Sequence, residues 1–327
     1  MPKSICCGTK IIRFSGRRRQ CVGCRRTWRI RVKKRGRPAL RSDPRLIRRV
    51  LIQKRSLTEI AQRRKISRQA LSHRFLKALK TVAPQNKLAQ PTSGELILLV
   101  DGLWFKFKRR PWVLYLMALR PIEEDTATFI APLLLEGSER MQGWQAALAT
   151  IPTECRVRIR ALVGDKFPGC STIARQNGWV LQLCHFHLVA QLAARLGRRR
   201  PSLQARIIRQ ETYRLVRAGL ETADWSRLRE ILGSLKTLIA EPVTPISYKR
   251  VVRGFIRRYT DYHAYLTYPQ LRLPKTNNTS EAMGRRVRDL LTRTRSLSSP
   301  KSLKVWATEQ IRLHPRIACK SAPLPTN

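Results

Sequence analysis

The chain has 327 residues, enough for two or three domains and at least one sizeable core. Its 67 Lys and Arg oppose only 20 Asp and Glu, a formal net charge of +47, which points to a polyanionic partner. Packaging proteins of the ribosomal or histone kind carry such charge, but they lack Trp-bearing strands and carboxylates set at the ends of apolar runs. No apolar leader follows Met1, and the apolar runs near 96–105 and 112–119 are short and broken by charge. Neither export nor a membrane partner is expected; the expected location is cytoplasmic, on the nucleoid. Of eight cysteines, four cluster near the start and four are scattered, a pattern of reduced thiols rather than a disulfide framework.

Residues 1–35 read as a small zinc-ribbon-like unit. Cys21-Val22-Gly23-Cys24 has the spacing of half a tetrahedral zinc site, and Cys6-Cys7 upstream would supply the other half across a hairpin. The first pair is irregular, since adjacent cysteines replace the usual spacing and Ser4 stands where a ligand is expected. Lys33 to Pro38 follows as a basic linker, whose Arg-Gly-Arg-Pro could lie in a narrow minor groove.

Residues 42–80 carry a helix-turn-helix pattern. Ser42 can cap a first helix bearing Leu46, Ile47, Val50 and Leu51, and a second starts at Leu57. A third carries Ala70, Leu71, Phe75 and Leu79 at helical spacing. Its other face would present Arg68, Gln69, Ser72, His73 and Arg74 to the major groove of double-stranded DNA. Residues 81–94 are a linker rich in Pro, Ser and Asn.

Strand patterns then dominate: Leu96–Val100, Leu103–Phe107, Trp112–Leu119 and Thr126–Leu135. A helix over Trp144–Ile151, a strand over Val157–Val163, a helix from Ser171 and a strand over Trp179–Leu183 follow. This predicts a mixed α/β sheet flanked by helices over 95–190 and 271–315. Residues 191–270 are helical throughout and read as an all-α insertion, and 316–327 as a tail.

Three acids stand out in so basic a chain. Asp101 ends the run Leu96–Val100, Asp165 ends Ile159–Gly164, and Glu281 opens a basic helix after Thr276-Asn277-Asn278. Converging carboxylates make a pocket for hard divalent cations, and with DNA as partner such a pocket suits metal-assisted phosphodiester chemistry. Each acid taken alone could equally be a turn or cap residue. Arg285, Arg286 and Arg288 on the Glu281 helix, with Arg293 and Arg295 beyond, would meet phosphates near that point. Cys184 and His187 could be half a zinc site, but their reading here is support of the acidic pocket or contact with DNA, with His185 facing the other way.

In order, Val100-Asp101-Gly102, Val163-Gly164-Asp165-Lys166-Phe167-Pro168-Gly169, Cys184-His185-Phe186-His187 and Thr276-Asn277-Asn278-Thr279-Ser280-Glu281 resemble the signatures of RNase H-like DDE transposases, particularly Mutator-like and related bacterial insertion-sequence enzymes. Lys166 stands where Gly is common in that group, and Gly284 where Asn is common. The resemblance implies an RNase H-like catalytic core in which Asp101, Asp165 and Glu281 hold two Mg²⁺ or Mn²⁺ ions. It implies cleavage at terminal inverted repeats and transfer to target DNA, carried out by a homo-oligomer assembled on DNA. The rival expectation is a regulator derived from such an enzyme, which binds DNA and no longer cuts it.

Overall fold

The computed structural model describes residues 7–15, 18–29, 43–82, 94–196, 202–294 and 299–322. Cys6, the basic linker at 33–38, Ser42, residues 83–93 of the expected linker and Arg295 lie outside these. The chain divides into two compact units, 1–41 and 42–327.

In the first unit, β1 (Ile11–Ser15), β2 (Arg18–Cys21) and β3 (Thr27–Arg29) form an antiparallel sheet in that order. Ile12 and Phe14 are exposed while Cys21 is fully buried, so these strands enclose little apolar surface of their own. Cohesion comes instead from a knot of polar and sulfur atoms. Thr9 Oγ1 lies 2.9 Å from Cys21 Sγ and accepts from Gly23 N at 3.2 Å, and Cys7 Sγ lies 3.1 Å from Cys21 Sγ.

The second unit begins with three helical segments. Asp43 caps α1 (Pro44–Ile47) by accepting from Leu46 N at 3.2 Å, and it pairs with Arg64 at 2.8 Å. The segment continues as a π-helical turn over Arg48–Ile52, so the expected single helix changes its winding midway. Ser56 caps α2 (Leu57–Arg63) and Ser67 caps α3 (Arg68–Val82), each accepting at 3.1 Å from the amide three residues on. Lys65, at φ +50°, makes the turn between them. Leu46, Ile47, Val50, Leu51, Leu57, Ile60, Leu71, Phe75 and Leu79 form one core, while Ala70, expected among them, is exposed.

A mixed sheet follows, in the order β10-β6-β5-β4-β8-β9, with β7 also paired to β5. Its centre is a hairpin of β4 (Leu96–Phe107) and β5 (Arg110–Pro121), turned by Lys108 and Arg109, both at positive φ as a tight hairpin requires. The sequence suggested two strands here, broken at Asp101. The backbone instead runs through, because β5 pairs with every residue from Leu96 to Phe107. Conversely, the expected strand Thr126–Leu135 splits into β6 (Thr126–Phe129) and β7 (Leu133–Glu136), both antiparallel to β5. β8 (Ile159–Gly164) lies parallel to β4, and β9 (Val180–Leu183) parallel to β8. Between β7 and β9 come α4 (Met141–Leu148), α5 (Thr153–Arg156) and α6 (Cys170–Gln176).

Alternation along β4 sets two cores. Leu96, Leu98 and Val100 face Trp144 and the helical stretch: α7 (His185–Leu196), α8 (Leu203–Glu221), α9 (Trp225–Ala240) and α10 (Ile246–Arg257). Short helices α11 (Tyr259–Tyr262) and α12 (Ala264–Thr267) close that stretch. Ile97, Leu99 and Leu103 face α13 (Asn278–Thr294) and α14 (Pro300–Leu313), through Met283, Val287, Leu303 and Ile311. The segment after 315, set apart as a tail by sequence, supplies the edge strand β10 (Arg316–Ala318), antiparallel to β6. Buried Arg120 anchors it, donating to the carbonyls of Cys319 (3.0 Å) and Arg272 and to Ser321 Oγ (3.1 Å). Among the described residues no helix is long and apolar enough to cross a membrane.

One residue joins the helical segments at the start of this unit to the sheet. Trp306 of α14 is buried against Phe75 of α3, ring centroids 4.5 Å apart, within the core of α1–α3. Trp306→Ala should lower unfolding free energy by about 3–5 kcal/mol, the usual loss for a buried aromatic. A urea midpoint unchanged from the parent would contradict this packing.

Candidate active site

The parallel ladder between β4 and β8 ends at Leu99 and Val163. Beyond that point the strands part and leave a notch whose rim is acidic. Asp101 stands on β4 facing α13, only 7 % exposed, and Asp165 directly follows β8. Gly164 lets these strands stay close up to the notch: a Cβ there would lie 2.6 Å from Val100 Cγ2.

Glu281, remote in sequence, arrives by specific stitching. Cys184 N donates to Gly164 O at 2.8 Å, and His185 N donates to Lys275 O at 3.0 Å. Asn277 N donates to Cys184 Sγ at 3.2 Å, and Asn277 Nδ2 donates to Val100 O at 2.6 Å, a buried carbonyl next to Asp101. These bonds fix the start of α13, whose first turn carries Glu281. Gly284 lets that helix lie on β4, since a Cβ there would sit 2.9 Å from Leu103 Cδ2 and 3.5 Å from Asp101 Oδ2. A longer side chain at 284 would crowd the Leu103 methyls.

Cys184 and His187 close the arrangement from the start of α7. His187 Nδ1 lies 3.7 Å from Glu281 Oε1, and Cys184 Sγ lies 4.0 Å from the same oxygen. His185 points elsewhere. Its Nε2 is 2.7 Å from Tyr262 O, and burial pushes its pKa down to about 4, so it is neutral.

Electrostatics set this notch apart from the rest of the molecule. Burial raises the pKa of Asp101, Asp165 and Glu281, and the charge on Asp101 raises the other two further. His187 opposes all three. Burial alone would lower it, but the Cys184 sulfur and the charges of Asp165 and Asp101 outweigh that and push it up to about 9. At neutral pH it is therefore an imidazolium, an internal counter-charge for the acids. Asp165 Oδ1 is buried with no hydrogen-bond partner among the described residues. Among the described residues the oxygens of Asp101, Asp165 and Glu281 do not form a set within 4.8 Å of one another; the acids act on each other through charge, and a hard divalent cation would have to draw them together.

A fourth acid belongs to the same notch and was not singled out from sequence. Glu139, just ahead of α4, accepts from Trp144 Nε1 at 2.9 Å. A Cβ on Gly102 would lie 2.6 Å from its Oε1, so the glycine after Asp101 makes room for it. Burial and the charge of Asp165 raise its pKa. The available signal was indirect: few acids in the chain, and a Gly beside one of them.

Cationic side chains surround the acids. Arg285 acts on Glu281 and Arg288 on Asp101, both from the exposed side of α13. Arg286 diverges from them, lining a cleft with Ile52, Lys54 and His314. Lys166, next to Asp165, has its pKa lowered by burial and by Arg258 and Arg257. On α3, Arg68, Gln69 and His73 are exposed, while Ser72 and Arg74 are half-buried. The Arg293 side chain lies outside the described residues. In the first unit Cys7, Cys21 and Cys24 bring their sulfurs within 4.8 Å of one another, a group that can hold a metal ion such as zinc. Compared with known families and with curated proteins, the chain matches no family model and no curated protein.

A carboxyl whose folded pKa is raised contributes stability below its ordinary value, and that contribution is lost as pH rises through the folded one. As pH rises above the ordinary carboxylate range, the raised pKa values of these acids thus work against folding. Asp165→Asn should raise the metal-free melting temperature, by about 2–4 °C for each kcal/mol relieved. The gain should shrink as pH falls toward 3.8, the ordinary value of this group. Thermal scans at pH 7 and pH 4 test this; a variant that melts lower than the parent at pH 7 would contradict it.

Proposed function

We propose that this chain is a DNA transposase of the DDE type, which binds the ends of its own element and performs metal-dependent cleavage and strand transfer. The observation that carries this reading is electrostatic: Asp101, buried on the central strand, raises the pKa of both Asp165 and Glu281, acids from distant segments, at one end of a mixed sheet. The topology supports an RNase H-like core. A central strand carries the first acid, its parallel neighbour ends at the second, and a helix packed on the same strand carries the third.

Asp101, Asp165 and Glu281 would hold two Mg²⁺ or Mn²⁺ ions, which would activate water as the nucleophile for cleavage and the DNA 3′-OH as the nucleophile for strand transfer, and neutralise charge on the leaving oxygen. The protein's own share is positioning. Arg285, Arg288 and Lys166 would grip phosphates on either side of the scissile bond. His187 keeps the acids together before DNA arrives. No Ser or Tyr nucleophile is required, because each step transfers the phosphoryl group directly between oxygens. Arg68, Gln69, Ser72, His73 and Arg74 on α3 would read the ends of the element in the major groove, and cutting two ends together calls for more than one copy on the DNA. The high positive charge is consistent with such a partner and with a cytoplasmic, nucleoid-bound location.

The test uses DNA flanking the coding sequence. The parent protein should nick it in Mg²⁺, and Asp165→Asn should bind it equally well while nicking falls to background. Binding without nicking by the parent would leave a DNA-binding regulator and sink the enzyme. Arg68→Ala should weaken binding and reduce the slope of log affinity against log salt by about 1 if it neutralises one phosphate. An unchanged slope and affinity would remove that arginine from the interface.

A further inference from the structure

Cys184, His187 and Glu281 form a donor set of a different chemical class from the three acids. Their ligand atoms all lie within 4.8 Å of one another, one sulfur, one imidazole nitrogen and one carboxylate oxygen. Tetrahedral zinc with ordinary bond lengths places such S···O and N···O pairs roughly 3.4–3.6 Å apart. The separations here, 4.0 Å and 3.7 Å to Glu281 Oε1, need only a few tenths of an ångström of closure.

Three further observations point to a ligand. Cys184 is 1 % exposed, yet its sulfur accepts the Asn277 amide at 3.2 Å, the N–H···S bond that steadies a metal-bound thiolate. His187 Nδ1 is buried, and what His187 faces is the Cys184 sulfur and the Glu281 oxygen 3.7 Å from Nδ1, the other two members of the set. Cys184 directly precedes α7 and His187 stands in its first turn, so the entry to one helix brings both toward Glu281. A site meant only for Mg²⁺ has no use for sulfur, whereas sulfur with imidazole selects a borderline or soft cation.

We propose that Cys184 Sγ, His187 Nδ1 and the Glu281 carboxylate form a binding site for Zn²⁺, distinct from the cysteine cluster of the first unit, in which the entering cation displaces to solvent the protons of the His187 imidazolium and the Cys184 thiol. A fourth position remains for water. Because Glu281 serves both this site and the acidic notch, Zn²⁺ held here would compete with the Mg²⁺ chemistry of the proposed function; that consequence, unlike the site itself, rests on the transposase reading. The device would be an off state relieved when zinc is withdrawn.

Co²⁺ replaces Zn²⁺ as a visible probe, titrated into full-length, reduced, metal-free protein. Cys21→Ser/Cys24→Ser in the same chain removes the competing cluster. That double variant should still bind one Co²⁺ with a sulfur-to-cobalt charge-transfer band in the near ultraviolet. Adding Cys184→Ser should abolish the band, and adding Glu281→Gln should keep the band but weaken binding at least about tenfold. Far-ultraviolet circular dichroism and melting confirm that each variant is folded. Should Cys184→Ser unfold, Glu281→Gln, on a partly exposed residue, decides the matter. Absence of the band in the double variant, its survival in Cys184→Ser, or unchanged affinity in Glu281→Gln would overturn the site. Micromolar Zn²⁺ should in addition stop Mg²⁺-dependent nicking by the double variant, and a chelator selective for Zn²⁺ should restore it. If the cobalt band behaves as stated while nicking ignores Zn²⁺, the site stands and the competition with catalysis falls.

Discussion

Buried like charges repel strongly when little water is near to screen them, and the notch at the end of the sheet collects several. Asp101, Asp165, Glu281 and Glu139 each have their pKa raised by burial, and each is raised further by a neighbouring acid. In a chain of net charge +47 such a cluster is the reverse of the molecule's general character. It holds because rigid elements impose it. Asn277 bonds the strand carbonyl next to Asp101, Cys184 bonds the strand that carries Asp165, and Gly284 lets α13 bring Glu281 within reach. The His187 imidazolium offsets part of the repulsion, and a cation is what the rest of the arrangement calls for.

The scaffold serves this notch from both sides. One face of the sheet is covered by α4 and the helices from α7 to α10, the other by α13 and α14. α14 looks two ways, giving Leu303 and Ile311 to the sheet and Trp306 to the core of α1–α3. The helix-turn-helix pattern therefore sits on the same packed body as the acids rather than on a loose tether, and DNA held on α3 would have a defined relation to the notch. Arg286, which turns from the acids toward Lys54 and His314, marks the cleft between these regions.

Much of the scaffold was legible from local pattern. The apolar runs ending at Val100 and Val163 lie in strands, and the three- and four-residue repeats over 225–239 and 248–256 lie in helices, since alternation and helical spacing record which side is buried. What local pattern could not give is what distant chain does. Asp101 looked like a strand end because it closes the apolar run Leu96–Val100, yet pairing with β5 carries the strand on. Residues 316–318 looked like a tail because nothing nearby in sequence announces Arg120 as their anchor. Glu139 was passed over because its value arises only when the chain folds back beside Gly102. Cys184 and His187 were noticed as a pair, but their third donor, Glu281, comes from a helix almost a hundred positions later.

The most direct measurement is Mn²⁺ titration of the full chain followed by electron paramagnetic resonance. Two ions held by one set of carboxylates would lie about 3.5–4 Å apart and couple magnetically. The account predicts a coupled pair in the parent protein that disappears in Asp165→Asn. A lone uncoupled Mn²⁺ signal, or a pair indifferent to that substitution, would contradict it.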